Sequence, residues 1–390
     1  MRITSLLGRA ALALGLLCGF SAQPTLADEP ANAAWQELPR PAVGKGLMME
    51  PRLLGFGSRV HLVWIGTTEQ ISKPEVFHTS ISGGSTEWTN PRPPFFGANK
   101  SRVRRVGLGR ARNLLGLVFQ RTLTQGNDAY EVLLSFSGDH GWSWGNPVEL
   151  DSFVSDVSGG TAVAIEGREA PNRTEFTMAW SRDFGNVRVA NMDIKTSLRP
   201  EGVVVGQHAT GAMKADVASL GKDGFAVVYN NGIGLATAHA RALVGKVDEG
   251  VMFLKGRYGL SFTIASRPYG DSRMAVGIGT MIEAYTSNGT SWKNDEQSGA
   301  LPFHADGAEA ESDIDEDKDL HVAFLLPKDG NYELWYIGQD QKKWGKAELV
   351  DTFKGDKDMR GFDIGVTDDY VFLAASQGFE AKYFRKKHRK

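Results

Sequence analysis

A single cysteine, Cys18, occurs in the 390 residues. It lies in an N-terminal segment that reads as removable, so the mature chain would form no disulfide and depend on its packed core. Arg2 and Arg9 flank the start of the apolar run Ala10–Gly19, and Thr25-Leu26-Ala27 ends in a small residue before Asp28. That is the pattern of a signal peptide over 1–27, with 28–390 as one domain; the apolar run is too short to span a bilayer. Net charge is scarce too. The formal value is −2, and losing Arg2 and Arg9 makes it −4, which gives no electrostatic case for nucleic acid. No long amphipathic helical pattern, no His/Cys set with zinc-binding spacing and no Gly-rich loop between strand and helix occurs. These absences point away from helical bundles, zinc fingers and phosphate-loop enzymes. The expectation is an exported monomer, periplasmic or secreted, without a transmembrane span.

What the chain does have is a strand-and-turn pattern that repeats. Ser137-Gly138-Asp139-His140-Gly141-Trp142-Ser143-Trp144 follows the apolar run Tyr130–Phe136. Ser137 and Asp139 can bond nearby backbone N–H groups, Gly141 can take φ > 0, and Trp144 offers a large plate between packed layers. Degraded copies occur at Ser80–Trp88, Thr286–Trp292 and Tyr336–Trp344. Trp35, Trp88, Trp144, Trp292 and Trp344 are separated by 53, 56, 148 and 52 positions, a period near 50 with two units that lack the Trp. An apolar strand recurs in each period: Arg59–Trp64, Leu114–Phe119, Phe176–Trp180, Phe225–Tyr229, Arg273–Ile278, His321–Leu326 and Tyr370–Ala374. Short strands at even spacing predict an all-β repeat fold.

The Ser137–Trp144 segment resembles the Asp-box of sialidase-type β-propellers, the bacterial neuraminidase repeat. The resemblance implies a propeller with the box on the face opposite the binding mouth and with a structural role. The repeat count predicts seven blades, with the six of sialidases as the alternative. The last unit, Gly361–Phe384, has three strands, so the segment around Trp35 is expected to join it and close the ring. The basic tail, 385–390, reads as a solvated terminus.

In propellers the innermost strand of each blade begins at the binding mouth. Those starts predict Arg52, Arg105, Asp216, Asp313 and Asp363 as mouth residues. Two readings compete. Either each Asp bonds backbone N–H groups and the Arg residues pair with them, or carboxylates and guanidinium groups converge on a ligand. The Phe/Tyr-Arg-Ile-Pro motif of sialidases is replaced by Glu50-Pro51-Arg52-Leu53, and no Tyr–Glu nucleophile pair can be placed, so sialidase activity is not implied. Propeller-fold polysaccharide lyases use His, Tyr and Arg near the mouth; loop position suggests His208, Arg257, Tyr258, His304 and Arg360 as counterparts. Asp315, Asp317 and Asp319 form the densest acidic run and are the candidate Ca²⁺ ligands; no other cofactor is expected. The expected function is non-catalytic binding of a glycan, peptide or partner protein at the mouth. The alternative is a carbohydrate-active enzyme, a glycosidase or lyase on acidic sugars.

Overall fold

The computed structural model describes residues 34–42, 46–69, 71, 73–94, 102–124, 127–154, 163–170, 173–182, 186–194, 203–207, 215–220, 224–230, 234–240, 251–255, 261–267, 272–287 and 291–388. The expected signal peptide and the candidates His208, Arg257 and Tyr258 lie outside them. The described strands form seven antiparallel sheets. In chain order, β1 (Gln36–Leu38) precedes the first sheet, β2 (Met48–Phe56), β3 (Arg59–Gly66) and β4 (Glu75–Ser82). The second holds β5 (Arg102–Ala111), β6 (Leu114–Thr124), β7 (Asn127–Ser137) and β8 (Val148–Val154). The third holds β9 (Val163–Ala170), β10 (Arg173–Ser181), β11 (Asn186–Asp193) and β12 (Val203–Gln207). The fourth holds β13 (Ala215–Ser219), β14 (Phe225–Asn230), β15 (Gly234–Ala240) and β16 (Val251–Lys255). The fifth holds β17 (Ser261–Ser266), β18 (Ser272–Ile278), β19 (Met281–Ser287) and β20 (Trp292–Ala300). The sixth holds β21 (Glu309–Ile314), β22 (Leu320–Lys328), β23 (Asn331–Asp340), β24 (Lys343–Trp344) and β25 (Glu348–Lys354). The seventh holds β26 (Met359–Val366), β27 (Tyr370–Gln377) and β28 (Glu380–Lys387).

Each apolar strand expected from the sequence is the second strand of one sheet. Its continuous apolar run is explained by what lies on its two faces. In β3, Val60, Leu62 and Trp64 pack into the seam with the seventh sheet, while Val63 and Ile65 pack into the seam with the second. In β22, Val322, Phe324 and Leu326 face the fifth sheet, while Ala323 and Leu325 face the seventh. Each apolar cluster joins two sheets consecutive around the ring, so the core is a set of seams rather than one centre. The first strands of the sheets touch in a closed cycle, β2-β5-β9-β13-β17-β21-β26 and back to β2. This arrangement is a β-propeller.

Closure of the ring follows the expectation for Trp35. β1 pairs antiparallel with β28, Gln36 opposite Arg385 and Leu38 opposite Tyr383, which covers an edge that would otherwise be open. The tail expectation is corrected at its start. Arg385, Lys386 and Lys387 belong to β28, and Arg385 is 4% exposed. Its guanidinium donates to Gln36 Oε1 (3.0 and 2.8 Å) and to the Gly83 (2.6 Å) and Ser85 (2.7 Å) carbonyls, tying the closing strand to the first sheet. A strand that needs those bonds cannot fray into solvent without leaving them unmade.

The Ser137–Trp144 segment turns β7 toward β8. Ser137 Oγ donates to Asp139 Oδ1 (2.8 Å) and accepts from Gly141 N–H (2.8 Å); Ser143 N–H and Oγ donate to the Asp139 carboxylate (2.8 and 2.6 Å). The Ser143 bonds, chiefly, hold the Asp139 carboxyl down at about 2. Gly141 has φ +84°, and a Cβ there would lie 2.0 Å from the His78 ring. Trp144 packs against the seam between the first and second sheets. The three degraded copies also fall at the ends of third strands: β4, β19 and β23. Leu115 faces Ser137 while Thr122 faces Arg102, so this turn lies at the end where β5 finishes, away from the end where β5 begins.

Candidate binding site at the channel mouth

A cavity of about 720 Å³ runs through the ring and is lined by the first strand of every sheet. Arg52, Arg105, Asp216, Asp313 and Asp363 lie on its wall, as does Arg360, which loop position had suggested. Asp313 was expected where a first strand begins, but β21 already starts at Glu309 opposite Leu325, so Asp313 falls near its end, and Asp363 falls in the middle of β26. His304 does not line it; it is exposed on the loop between β20 and β21.

Three adjacent sheets carry an extra residue where their first strands begin. The register of β2 shifts between Met49 and Arg52, that of β5 between Val103 and Arg105, and that of β26 between Met359 and Gly361. Bulges bend a strand and re-aim its side chains. Arg104 and Arg360 fall in two of them and are exposed. Glu50 falls in the third with φ +51°, a strained value for a non-glycine residue before a proline. Glu50 forms an ion pair with Arg105 across the first and second sheets.

Arg52 reaches three neighbouring sheets. Its guanidinium lies 3.4 Å from Glu311 Oε1 and donates to the Val106 (3.3 Å) and Phe362 (3.4 Å) carbonyls. Burial works against its charge, but Glu311, Asp363, Glu50 and Asp216 outweigh that and hold it firmly protonated. About 27% of the side chain remains exposed to the channel.

The three Asp residues act as clasps between sheets. Asp363 accepts from Leu53 N–H (2.7 Å) in the first sheet and from its own neighbour Ile364 N–H (2.9 Å). Asp313 accepts from Val366 N–H (2.7 Å) in the seventh sheet and from Ile314 N–H (2.8 Å). Asp216 accepts from Ile264 N–H (3.2 Å) in the fifth and from Val217 N–H (3.0 Å). Each Asp therefore bonds backbone N–H groups as one sequence reading held, but the ion pairs of Arg52 and Arg105 go to Glu311 and Glu50 instead.

Glu50, Glu311, Glu166, Arg110 and Arg267 also line the cavity and were missed by sequence. Only Glu50 left a signal, its place beside Pro51. Burial raises the Glu166, Asp313 and Asp363 carboxyls; Asp313 and Asp216 add to the effect at Glu166, and Glu311 adds to it at Asp363. Arg110, Arg267 and Arg52 respectively pull them back. Among the described lining residues there is no histidine or tyrosine.

The Ca²⁺ expectation is not met by convergence of its three Asp residues. Asp319 accepts from Gln341 N–H (2.8 Å) and Lys342 N–H (2.6 Å), supporting two left-handed turn residues. Asp317 is exposed, and Asp315 is buried and accepts from Asp319 N–H (2.9 Å).

No family model matches this sequence, and no curated protein does. Solved structures do. An ulvan lyase of polysaccharide lyase family 25, bound to a -[GlcA(1-4)Rha3S]- glycan, superposes at TM-score 0.55 with 10% identity, covering 91% of this chain and 96% of the lyase. A prolyl endopeptidase superposes at TM-score 0.50 with 13% identity, covering 89% of this chain and 47% of the endopeptidase. A Trypanosoma rangeli sialidase superposes at TM-score 0.47 with 12% identity, covering 90% of this chain and 58% of the sialidase. The likeness is one of fold. The chain spans nearly all of the lyase but only about half of the other two.

Proposed function

We propose that this protein is an exported, monomeric, non-catalytic module that binds an acidic glycan at the channel mouth. The observation that carries the reading is the set of bulged strand starts on three adjacent sheets, which place Arg52, Arg105 and Arg360 on the cavity wall with the exposed Arg104 beside them. Guanidinium groups offer two parallel donors to a carboxylate or sulfate, and a partly desolvated channel strengthens each bond. The lyase of similar length holds a uronate-containing, sulfated glycan, which supports the ligand class. Seven sheets with closed first-strand contacts support a seven-bladed count. A catalytic reading has one observation in its favour: the raised carboxyls of Glu166, Asp313 and Asp363 could hold a proton for a leaving group. The Asp363, Asp313 and Asp216 carboxylates are each engaged with backbone N–H groups of a neighbouring sheet, which supports binding as the role.

The test is titration of the mature protein with sulfated uronate oligosaccharides, followed by calorimetry. Arg52→Ala should weaken binding at least tenfold while leaving the thermal unfolding profile cooperative. Unchanged affinity in that variant refutes the site, and release of unsaturated or reducing ends by the wild type refutes the non-catalytic role. N-terminal sequencing of protein recovered from the secreted or periplasmic fraction tests cleavage after Ala27.

A further inference from the structure

On the face where the first strands end, Asp315 follows β21, His321 lies near the start of β22, and His388 follows β28. The three side chains are 5%, 2% and 8% exposed. Asp315 Oδ2 lies 3.5 Å from His321 Nε2 and 3.8 Å from His388 Nδ1, and the three atoms all lie within 4.8 Å of one another. His321 Nε2 is fully buried, points into this cluster and has no hydrogen-bond partner. A separation of 3.5 Å is long for a hydrogen bond. It does match the edge of a coordination tetrahedron, since ligand bonds of about 2.0–2.2 Å give edges of roughly 3.3–3.6 Å.

The outer partners fit the same reading. His388 Nε2 lies 3.0 Å from the Thr367 carbonyl, so it carries the proton, and Nδ1 faces Asp315 with its lone pair. His321 Nδ1 lies 2.7 Å from Tyr336 Oη, so hydrogen bonding at that nitrogen leaves Nε2 for the cluster. Metal-bound histidines are oriented in this manner by their second ring nitrogen. Two imidazoles and one carboxylate suit a borderline divalent ion over Ca²⁺, which takes six to eight oxygens.

We infer that Asp315, His321 and His388 form a zinc site that ties the end of the chain to the sixth sheet. The site lies at the end where the first strands finish, opposite the bulged strand starts of the proposed glycan mouth, and does not depend on it. His388 is the first residue after the closing strand, so zinc would hold the strand that β1 needs for pairing. Metal that binds only the folded chain stabilises it by mass action.

The experiment uses the full mature chain without a histidine tag, stripped with EDTA. Titration with ZnCl₂ should show one ion per chain and raise the Tm by several degrees. CoCl₂ should give the intense visible bands of a four-coordinate site. Asp315→Asn, His321→Gln and His388→Gln should each lower zinc affinity at least tenfold, whereas His304→Gln should leave it unchanged. Because His321 is buried, His388→Gln at the chain end serves as the variant least harmful to folding. The inference is overturned if stripped protein takes up no stoichiometric zinc, if uptake survives His388→Gln, or if Ca²⁺ displaces zinc.

Discussion

Asp363→Ala offers the most direct measure of what holds adjacent sheets together. The carboxylate accepts from Leu53 N–H across the seam and from Ile364 N–H within its own strand. Leu53 is 6% exposed and Ile364 2% exposed, so both donors would lose their partner in a buried setting. An orphaned buried N–H costs about 1–3 kcal/mol, giving about 2–6 kcal/mol for two. Channel water can reach part of this surface, and removing a carboxyl that burial disfavours returns some stability. The expected loss is therefore about 2–4 kcal/mol. Asp363→Asn keeps one acceptor oxygen and should lose about half as much. Urea unfolding followed by tryptophan fluorescence should show a lower midpoint with unchanged slope. Asp358→Ala, at a side chain 81% exposed, is the control and should change stability by less than about 0.5 kcal/mol. If Asp363→Ala also falls within that control range, the clasp is not what holds the seam and the reasoning fails.

Two further perturbations test packing and charge. Gly55→Ala would place a Cβ 1.6 Å from the Val366 carbonyl oxygen, so the first and seventh sheets must separate, at a cost of about 3 kcal/mol or more. Gly57→Ala meets nothing within 4 Å and should cost only the left-handed strain of about 1–2 kcal/mol, measured in the same urea series. His61 Nδ1 and His78 Nε2 lie 3.1 Å apart, and burial lowers both rings, His78 from 6.5 to about 4. Between those values the unfolded chain binds more protons, so stability falls on acidification. At about 1.4 kcal/mol per pH unit, His78 alone accounts for about 3 kcal/mol by pH 4. Burial raises Glu75 to about 7, so its contribution runs the opposite way, being lost as pH rises from 4.5. The His78→Gln difference curve isolates the histidine: it should be flat above about pH 7 and change between pH 6.5 and 4. Parallel curves for the two proteins would remove this assignment.

The strands, the turns and the repeat are legible in the amino-acid order alone. Each apolar run from Arg59–Trp64 to Tyr370–Ala374 is written locally, because a strand buried between two sheets must be apolar on both faces. The Ser137–Trp144 turn is local too, since its bonds join residues no more than four positions apart. The residues read as strand starts fall on the first strands, because each sheet repeats the same path from axis to rim, though Asp313 sits near the end of β21 rather than its start. Partners were decided only when the ring closed. Arg52 and Glu311 are 259 positions apart and meet because the first and sixth sheets both face one axis. Sequence offered Asp363 as a ligand residue, but whether its oxygens face a ligand or a neighbouring N–H depends on the spacing between sheets. The basic tail shows the limit most plainly. Composition alone favours a solvated terminus, yet β28 is held by β1 and by the Gly83 and Ser85 carbonyls. That pairing also carries His388 to Asp315 and His321, a meeting no spacing in the chain could encode.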